Sequence, residues 1–191
     1  ELTTIDKATT GDTSVDNYFQ TARYADEALA QFFAYLKESG LYENTMIVMY
    51  GDHYGISDNH NEAMSQLIGQ EVTPVVQADL QQVPLLIYVP GMEGGVNHSY
   101  GGQIDLLPTV LHLQGVETQD YIHFGTDLLS AEHQQIVPFR NSDFVSPTIY
   151  GVDGKFYDRS TGLEIDESQT ALFEEANSLK EIVEERLNFS D

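Results

Sequence analysis

Thr45-Met46-Ile47-Val48-Met49-Tyr50-Gly51-Asp52-His53-Tyr54-Gly55 is the stretch on which the reading of this chain turns. The apolar run ending at Tyr50 predicts a short buried strand, and the glycines mark an abrupt turn at its end. Strand ends of this kind open into the crevice where α/β proteins bind ligands. Asp52 and His53 therefore stand where chemistry is done. They carry a hard anionic oxygen and an imidazole nitrogen, which suit Mn²⁺, Mg²⁺ or Zn²⁺. Two ligands do not complete a site, and an Asp-His dipeptide also serves as a simple turn cap.

Outward from this turn, apolar residues alternate between helical and extended patterns. Thr13 or Ser14 caps a helical stretch over 15–39, in which Val15, Tyr18, Phe19, Ala22, Ala25, Leu29, Phe32, Phe33 and Leu36 share one face. Gly40 closes it. After the turn, Asp58 or Asn59 starts a short helix through Leu67, capped by Gly69. Residues 70–82 read as a polar surface crossing. Residues 83–89, Val-Pro-Leu-Leu-Ile-Tyr-Val, read as a second buried strand, with Pro84 admissible only at its start or on an edge. Asp105 and Pro108 open a helix whose core face is Leu106, Leu107, Val110, Leu111 and Leu113. This alternation predicts an α/β domain with a mainly parallel sheet over 1–134.

The pattern changes beyond residue 134. Strand-like segments fall at 136–140, 144–150 and 163–165, and Asp153-Gly154 between strand formers predicts a hairpin. A helix follows from about Ser168 to Leu187. Residues 135–191 thus read as a small antiparallel sheet plus helix subdomain.

Composition narrows the function. The 191 residues carry 41% hydrophobic residues, enough for a real core. With 8 basic and 31 acidic residues the formal charge is −23, and no Lys or Arg occurs between Lys37 and Arg140. Such a surface repels nucleic acid, which excludes DNA or RNA as a partner. Cysteine is absent, so thiolate metal sites, disulfides and cysteine nucleophiles are excluded. There is no Gly-x-Ser-x-Gly elbow and no P-loop. No apolar stretch is long enough to cross a bilayer, and the N-terminus does not read as a signal peptide.

Among the polar residues near the turn, Ser57, Asp58, Asn59 and His60 either bond an anionic substrate or cap the next helix. Capping is the favoured role for Asp58 and Asn59, and His60 stands evenly between the two. Asp105 reads as structural, and His112 as a packed histidine. His98, His123 and His133 have no partner at metal-ligand spacing.

Four segments carry a resemblance: Asp16–Ala22, Tyr50–Asn61, Gly102–Thr109 and Val137–Asn141. They resemble the lipoteichoic acid synthases, polyglycerolphosphate synthases of the alkaline phosphatase and sulfatase superfamily. The Asp-His turn is common to that superfamily, and the Tyr50–Asn61 run is more specific to the synthases. The resemblance implies a sulfatase-like fold with helices on both faces of a large sheet and a small C-terminal subdomain. It implies an extracellular catalytic domain at the outer face of the bacterial cytoplasmic membrane, tethered by upstream transmembrane helices. It implies transfer of glycerol phosphate from phosphatidylglycerol to a growing lipoteichoic acid chain, through a threonine nucleophile. The implied cofactor is Mn²⁺ or Mg²⁺, with Asp52 and His53 as metal ligands and Ser57 as a substrate-binding residue.

In that family the threonine and a further glutamate ligand lie in an N-terminal half of the catalytic domain that is expected upstream of this chain. Thr3, Thr4, Thr9, Thr10 and Thr13 lie too close to the turn to be the nucleophile, so no catalytic nucleophile is assigned here. The chain is expected to be inactive alone, to bind metal weakly, and to self-associate through uncovered apolar surface. The alternatives are a phosphodiesterase or sulfatase of the same superfamily, and a non-catalytic binding module on that scaffold. A dinuclear metallophosphoesterase is disfavoured, because Asp58-Asn59-His60-Asn61 lacks the glycine and the further ligands that motif requires.

Overall fold

The computed structural model describes residues 5–117 and 123–188. Its contacts divide the chain into two compact units, Glu1–Gly95 and Val96–Asp191. These units meet at Gly95–Val96 rather than at the expected change of character after residue 134, and the antiparallel sheet begins at Val137, well inside the second unit.

In the first unit, helix α1 runs Thr13–Glu38. The Asp12 carboxylate accepts from the backbone amides of Ser14 and Val15, satisfying donors that the first turn leaves orphaned. The predicted apolar face is buried only at its two ends, at Val15 and Leu36. Phe19, Leu29 and Phe32 are exposed, and Tyr35 is 59% exposed. Helical periodicity marks a face that can be buried, and the elements of this unit cover only its ends.

Strand β1, Ile47–Tyr50, pairs with β2, Leu85–Tyr88. The register aligns Ile47 with Tyr88 and Tyr50 with Leu85. The pairing is antiparallel, which corrects the expected parallel arrangement for these two strands. Strand alternation with helices does not itself encode direction. The connection here holds two short helices, α2 at Asn61–Ile68 and α3 at Pro74–Asp79. The strands are also less buried than their apolar runs predict, and Tyr50, Leu85 and Leu86 are exposed. Tyr42 stacks on Tyr88 with ring centroids 4.3 Å apart.

Helix α3 corrects the expected polar crossing at 70–82. Its signal was available in Thr73-Pro74, a cap followed by a first-turn proline. Thr73 Oγ1 accepts from the amide of Val76 at 3.3 Å.

In the second unit, helix α4 spans Leu106–Leu113. Its buried stripe is Asp105, Pro108 and Thr109, not the predicted leucine face, and Leu107 is exposed. Asp105 has the structural role expected of it. One carboxylate oxygen accepts from the Gly102 amide at 2.8 Å and the other from the Thr126 amide at 2.7 Å. Thr109 Oγ1 donates to the Asp105 carbonyl at 2.6 Å and accepts from the Leu128 amide at 2.9 Å. A buried carboxylate is tolerable because these backbone donors satisfy it.

Strands β3 (Val137–Pro138), β4 (Phe144–Val145), β5 (Ile149–Val152), β6 (Lys155–Asp158) and β7 (Glu164–Ile165) form an antiparallel meander in sequence order. The predicted strand over 144–150 is two strands, β4 and β5, parted at Ser146, whose hydroxyl donates to the Ile149 carbonyl at 2.8 Å. Asp153 and Gly154 both adopt positive φ, as the tight hairpin turn joining β5 to β6 requires. Helix α5, Thr170–Asn188, packs Ala176 and Val183 against Ile136, Phe144, Ile149, Phe156 and Ile165.

Candidate functional site

The site is built from the end of β1 outward. Gly51 N–H donates to the Pro84 carbonyl at 3.1 Å, extending the ladder by one bond. A Cβ on Gly51 would lie 2.6 Å from the Val83 Cβ, so the chain leaves the sheet at a point only glycine can occupy. Asp52 and His53 follow immediately. Gly55 is held as closely, since a Cβ there would meet the Tyr18 hydroxyl at 2.0 Å. The first glycine thus serves close approach to the Val83–Pro84 segment leading into β2, and the second leaves room for the outer end of the Tyr18 ring from α1.

Asp52 Oδ1 and His53 Nε2 lie 3.7 Å apart, with the side chains 87% and 74% exposed. His53 Nδ1 is 2.7 Å from the Tyr54 carbonyl. A carboxylate oxygen and an imidazole nitrogen bind divalent ions at about 2.0–2.2 Å, so donors at this separation can touch one ion together. The donor set fits half of a hard or borderline metal site. Among the described residues no group of three or more His, Asp or Glu side chains is arranged to hold an ion.

Beside this pair lies an open cleft of about 510 Å³, lined by Ser14, His53, Tyr54, Gly55, Ile56, Ser57 and His60. Ser57 therefore shares a cleft with His53. The expected capping by Asp58 and Asn59 does not occur. Asp58–His60 forms a turn of 3-10 helix, and neither that turn nor α2 has a side-chain cap.

The residue missed in the sequence is Asp12. Its Oδ2 lies 2.6 Å from His60 Nδ1, and both side chains are 28% exposed. The His60 hydrogen bond, aided by the amides of Val15 and Ser14, holds the Asp12 carboxyl below its ordinary value of 3.8. Asp16 is lowered too, first by the Thr10 hydroxyl, which donates to it at 2.7 Å. Thr3 and Thr4 lie outside the described residues.

A carboxyl with a depressed folded-state pKa contributes stability that is fully present above its unfolded value. That contribution is lost as pH falls through the folded value. The melting temperature of the chain is therefore expected to drop on acidification below about pH 4. Asp12→Asn should flatten part of that drop, as thermal melts across acidic buffers would show. An unchanged acid limb in the variant would remove Asp12 as a contributor.

The remaining histidines are structural or peripheral. His112, expected to be packed, has a 60% exposed side chain and pairs with Asp127 at 2.5 Å. Its position borders the buried stripe of α4 rather than joining it. His133 bridges Thr126 Oγ1 and the Tyr100 carbonyl, at 2.6 Å each.

Residues 3–116 match the sulfatase family, more than half of the chain. The chain belongs to the sulfatase family. Within it, Bacillus subtilis (strain 168) lipoteichoic acid synthase 1 is 55% identical over 185 residues, covering 97% of this chain and 28% of that protein. Staphylococcus aureus (strain USA300) lipoteichoic acid synthase is 49% identical over 188 residues, 98% of this chain and 28% of that protein. The crystal structure of the Listeria monocytogenes lipoteichoic acid synthase LtaP superposes on this sulfatase-family chain with a TM-score of 0.80 and 28% identity. That match covers all of this chain and 48% of the LtaP chain. The fold is thus the sulfatase-like α/β fold of LtaP together with its antiparallel α+β part. The chain spans less than a third of the length of its curated relatives.

Proposed function

We propose that this chain is the segment of a phosphoglycerol transferase that supplies one side of a divalent-metal site and part of its phosphoglycerol pocket. The observation that carries this reading is the 49–55% identity to lipoteichoic acid synthases over nearly the whole chain. Asp52 and His53 are the metal ligands, with their donors 3.7 Å apart at the strand end. Ser57, in the adjoining cleft, is a hydrogen-bonding partner of the glycerol phosphate.

The substrate is phosphatidylglycerol, and the acceptor is the growing lipoteichoic acid chain at the outer face of the cytoplasmic membrane. A threonine hydroxyl from the part of the longer protein outside this chain attacks phosphorus. The bond to diacylglycerol breaks, and the departing alkoxide takes up a proton. The terminal hydroxyl of the acceptor then attacks the same phosphorus and frees the threonine. Mn²⁺ or Mg²⁺, when bound, lowers the pKa of the attacking hydroxyl and stabilises charge on the phosphoryl oxygens. Asp52 and His53 fix the ion rather than attack. Their exposure agrees with a site completed by donors from elsewhere in the longer protein. Attachment to the membrane is assigned, from the likeness to lipoteichoic acid synthases, to helices outside this chain; among the described residues no helix is long and apolar enough to cross a membrane.

The test is an assay of the full-length protein with labelled phosphatidylglycerol in Mn²⁺ buffer. Release of diacylglycerol together with a glycerol phosphate polymer is expected. Hydrolysis of simple phosphodiesters or sulfate esters with no transfer to an acceptor would favour the phosphodiesterase or sulfatase reading and overturn this one.

A further inference from the structure

We infer that His60 is a substrate-contacting residue, its Nε2 a hydrogen-bonding position for the phosphoglycerol group, and that Asp12 is the residue that positions it. The inference rests on the function proposed above. Asp12 is 48 residues from His60 in sequence, yet their side chains meet at 2.6 Å. Asp12 is anchored by its other carboxylate oxygen, which accepts from the Ser14 and Val15 amides at 2.9 and 3.2 Å. A carboxylate fixed in this way accepts from His60 Nδ1–H and sets both the tautomer and the plane of the ring. Such a carboxylate–imidazole arrangement is the usual way a protein orients a working histidine. His60 Nε2 makes no hydrogen bond to any described residue, and the ring lines the cleft that also holds His53 and Ser57.

The bland role for this pair is a tether that pins the Gly51–His60 loop to the start of α1. The two roles divide on which ring nitrogen matters. His60→Asn keeps an amide donor near the Nδ1 position and has nothing at Nε2. His60→Gln places its amide near the Nε2 position. In the full-length protein assayed with phosphatidylglycerol, His60→Asn is expected to lower kcat/KM by about 10- to 100-fold, the effect of one hydrogen bond to a charged group. Its melting temperature should stay at the wild-type value, and His60→Gln should recover part of the loss.

Asp12→Asn should lower kcat/KM in the presence of His60 and add nothing in the His60→Asn background, because no imidazole remains to be oriented. Wild-type kcat and KM in a folded His60→Asn variant would overturn the inference and leave the proposed function standing. So would activity that falls only in step with melting temperature across the variants. A wild-type protein that releases no diacylglycerol would overturn both.

Discussion

On the function proposed above, Asp52→Ala in the full-length protein should abolish the bound divalent ion and lower phosphoglycerol transfer by about 1,000-fold or more. Several kcal/mol of transition-state stabilisation accompany a catalytic divalent ion, and each 1.36 kcal/mol is about tenfold in rate. The same change should leave folding almost untouched. Asp52 is 87% exposed, and substitutions at such positions usually fall within about 0.5 kcal/mol. Metal content by elemental analysis, turnover of labelled phosphatidylglycerol and a thermal melt together separate the two effects. Full activity in a metal-replete Asp52→Ala protein would remove this residue from the site. A large loss of melting temperature would show that the strand-end turn is chiefly a structural cap.

Phe144→Ala should do the reverse, costing the chain about 3–5 kcal/mol of stability, the range for deleting a buried phenyl ring. Phe144 is 1% exposed. Its ring lies 6.2 Å from that of Phe156 and fills the space over Gly151, where a Cβ would approach Phe144 Cε1 to 2.3 Å. Ring and glycine are therefore complementary, and removing the ring leaves a void over Gly151. Circular dichroism should show the melting transition of this unit falling by at least about 12 °C. Leu163→Ala, at a 67% exposed position, is the matched control and should change stability little. A near-wild-type melt for Phe144→Ala would mean that the core spanning the meander and α5 is not tightly packed.

These two residues also show how legible the chain was. The Asp52-His53 turn was readable because glycine punctuation, an apolar run and two metal-ligand types coincide within a few residues. The Asp153-Gly154 hairpin was equally local, and the structure places both residues at positive φ. Features that depend on distant partners were not readable. The antiparallel pairing of β1 with β2 hangs on where Leu85–Tyr88 returns, and an apolar run does not state its direction. The exposed middle of α1 and the Asp105–Pro108–Thr109 stripe of α4 show the same limit, since periodicity marks a face but not what covers it. The Asp12–His60 pair joins a helix cap to a 3-10 turn 48 residues away, and the cap was expected at Thr13 or Ser14 instead. Helix α3 is a different kind of miss, because Thr73-Pro74 was a usable signal.

Pro84 brings no N–H to the ribbon, while its carbonyl takes the last bond from Gly51 and Val83 closes against that glycine. The departure of the loop is thereby clamped to one peptide, and side chains in extended backbone alternate sides. A single-residue insertion within Ile47–Tyr50 would disrupt its register with Leu85–Tyr88 and displace the turn that carries the aspartate and imidazole. An insertion among the exposed residues 91–99 would leave them where they are. Length variation among natural or engineered versions of this segment should therefore collect in that outer loop and be purged from the ribbon.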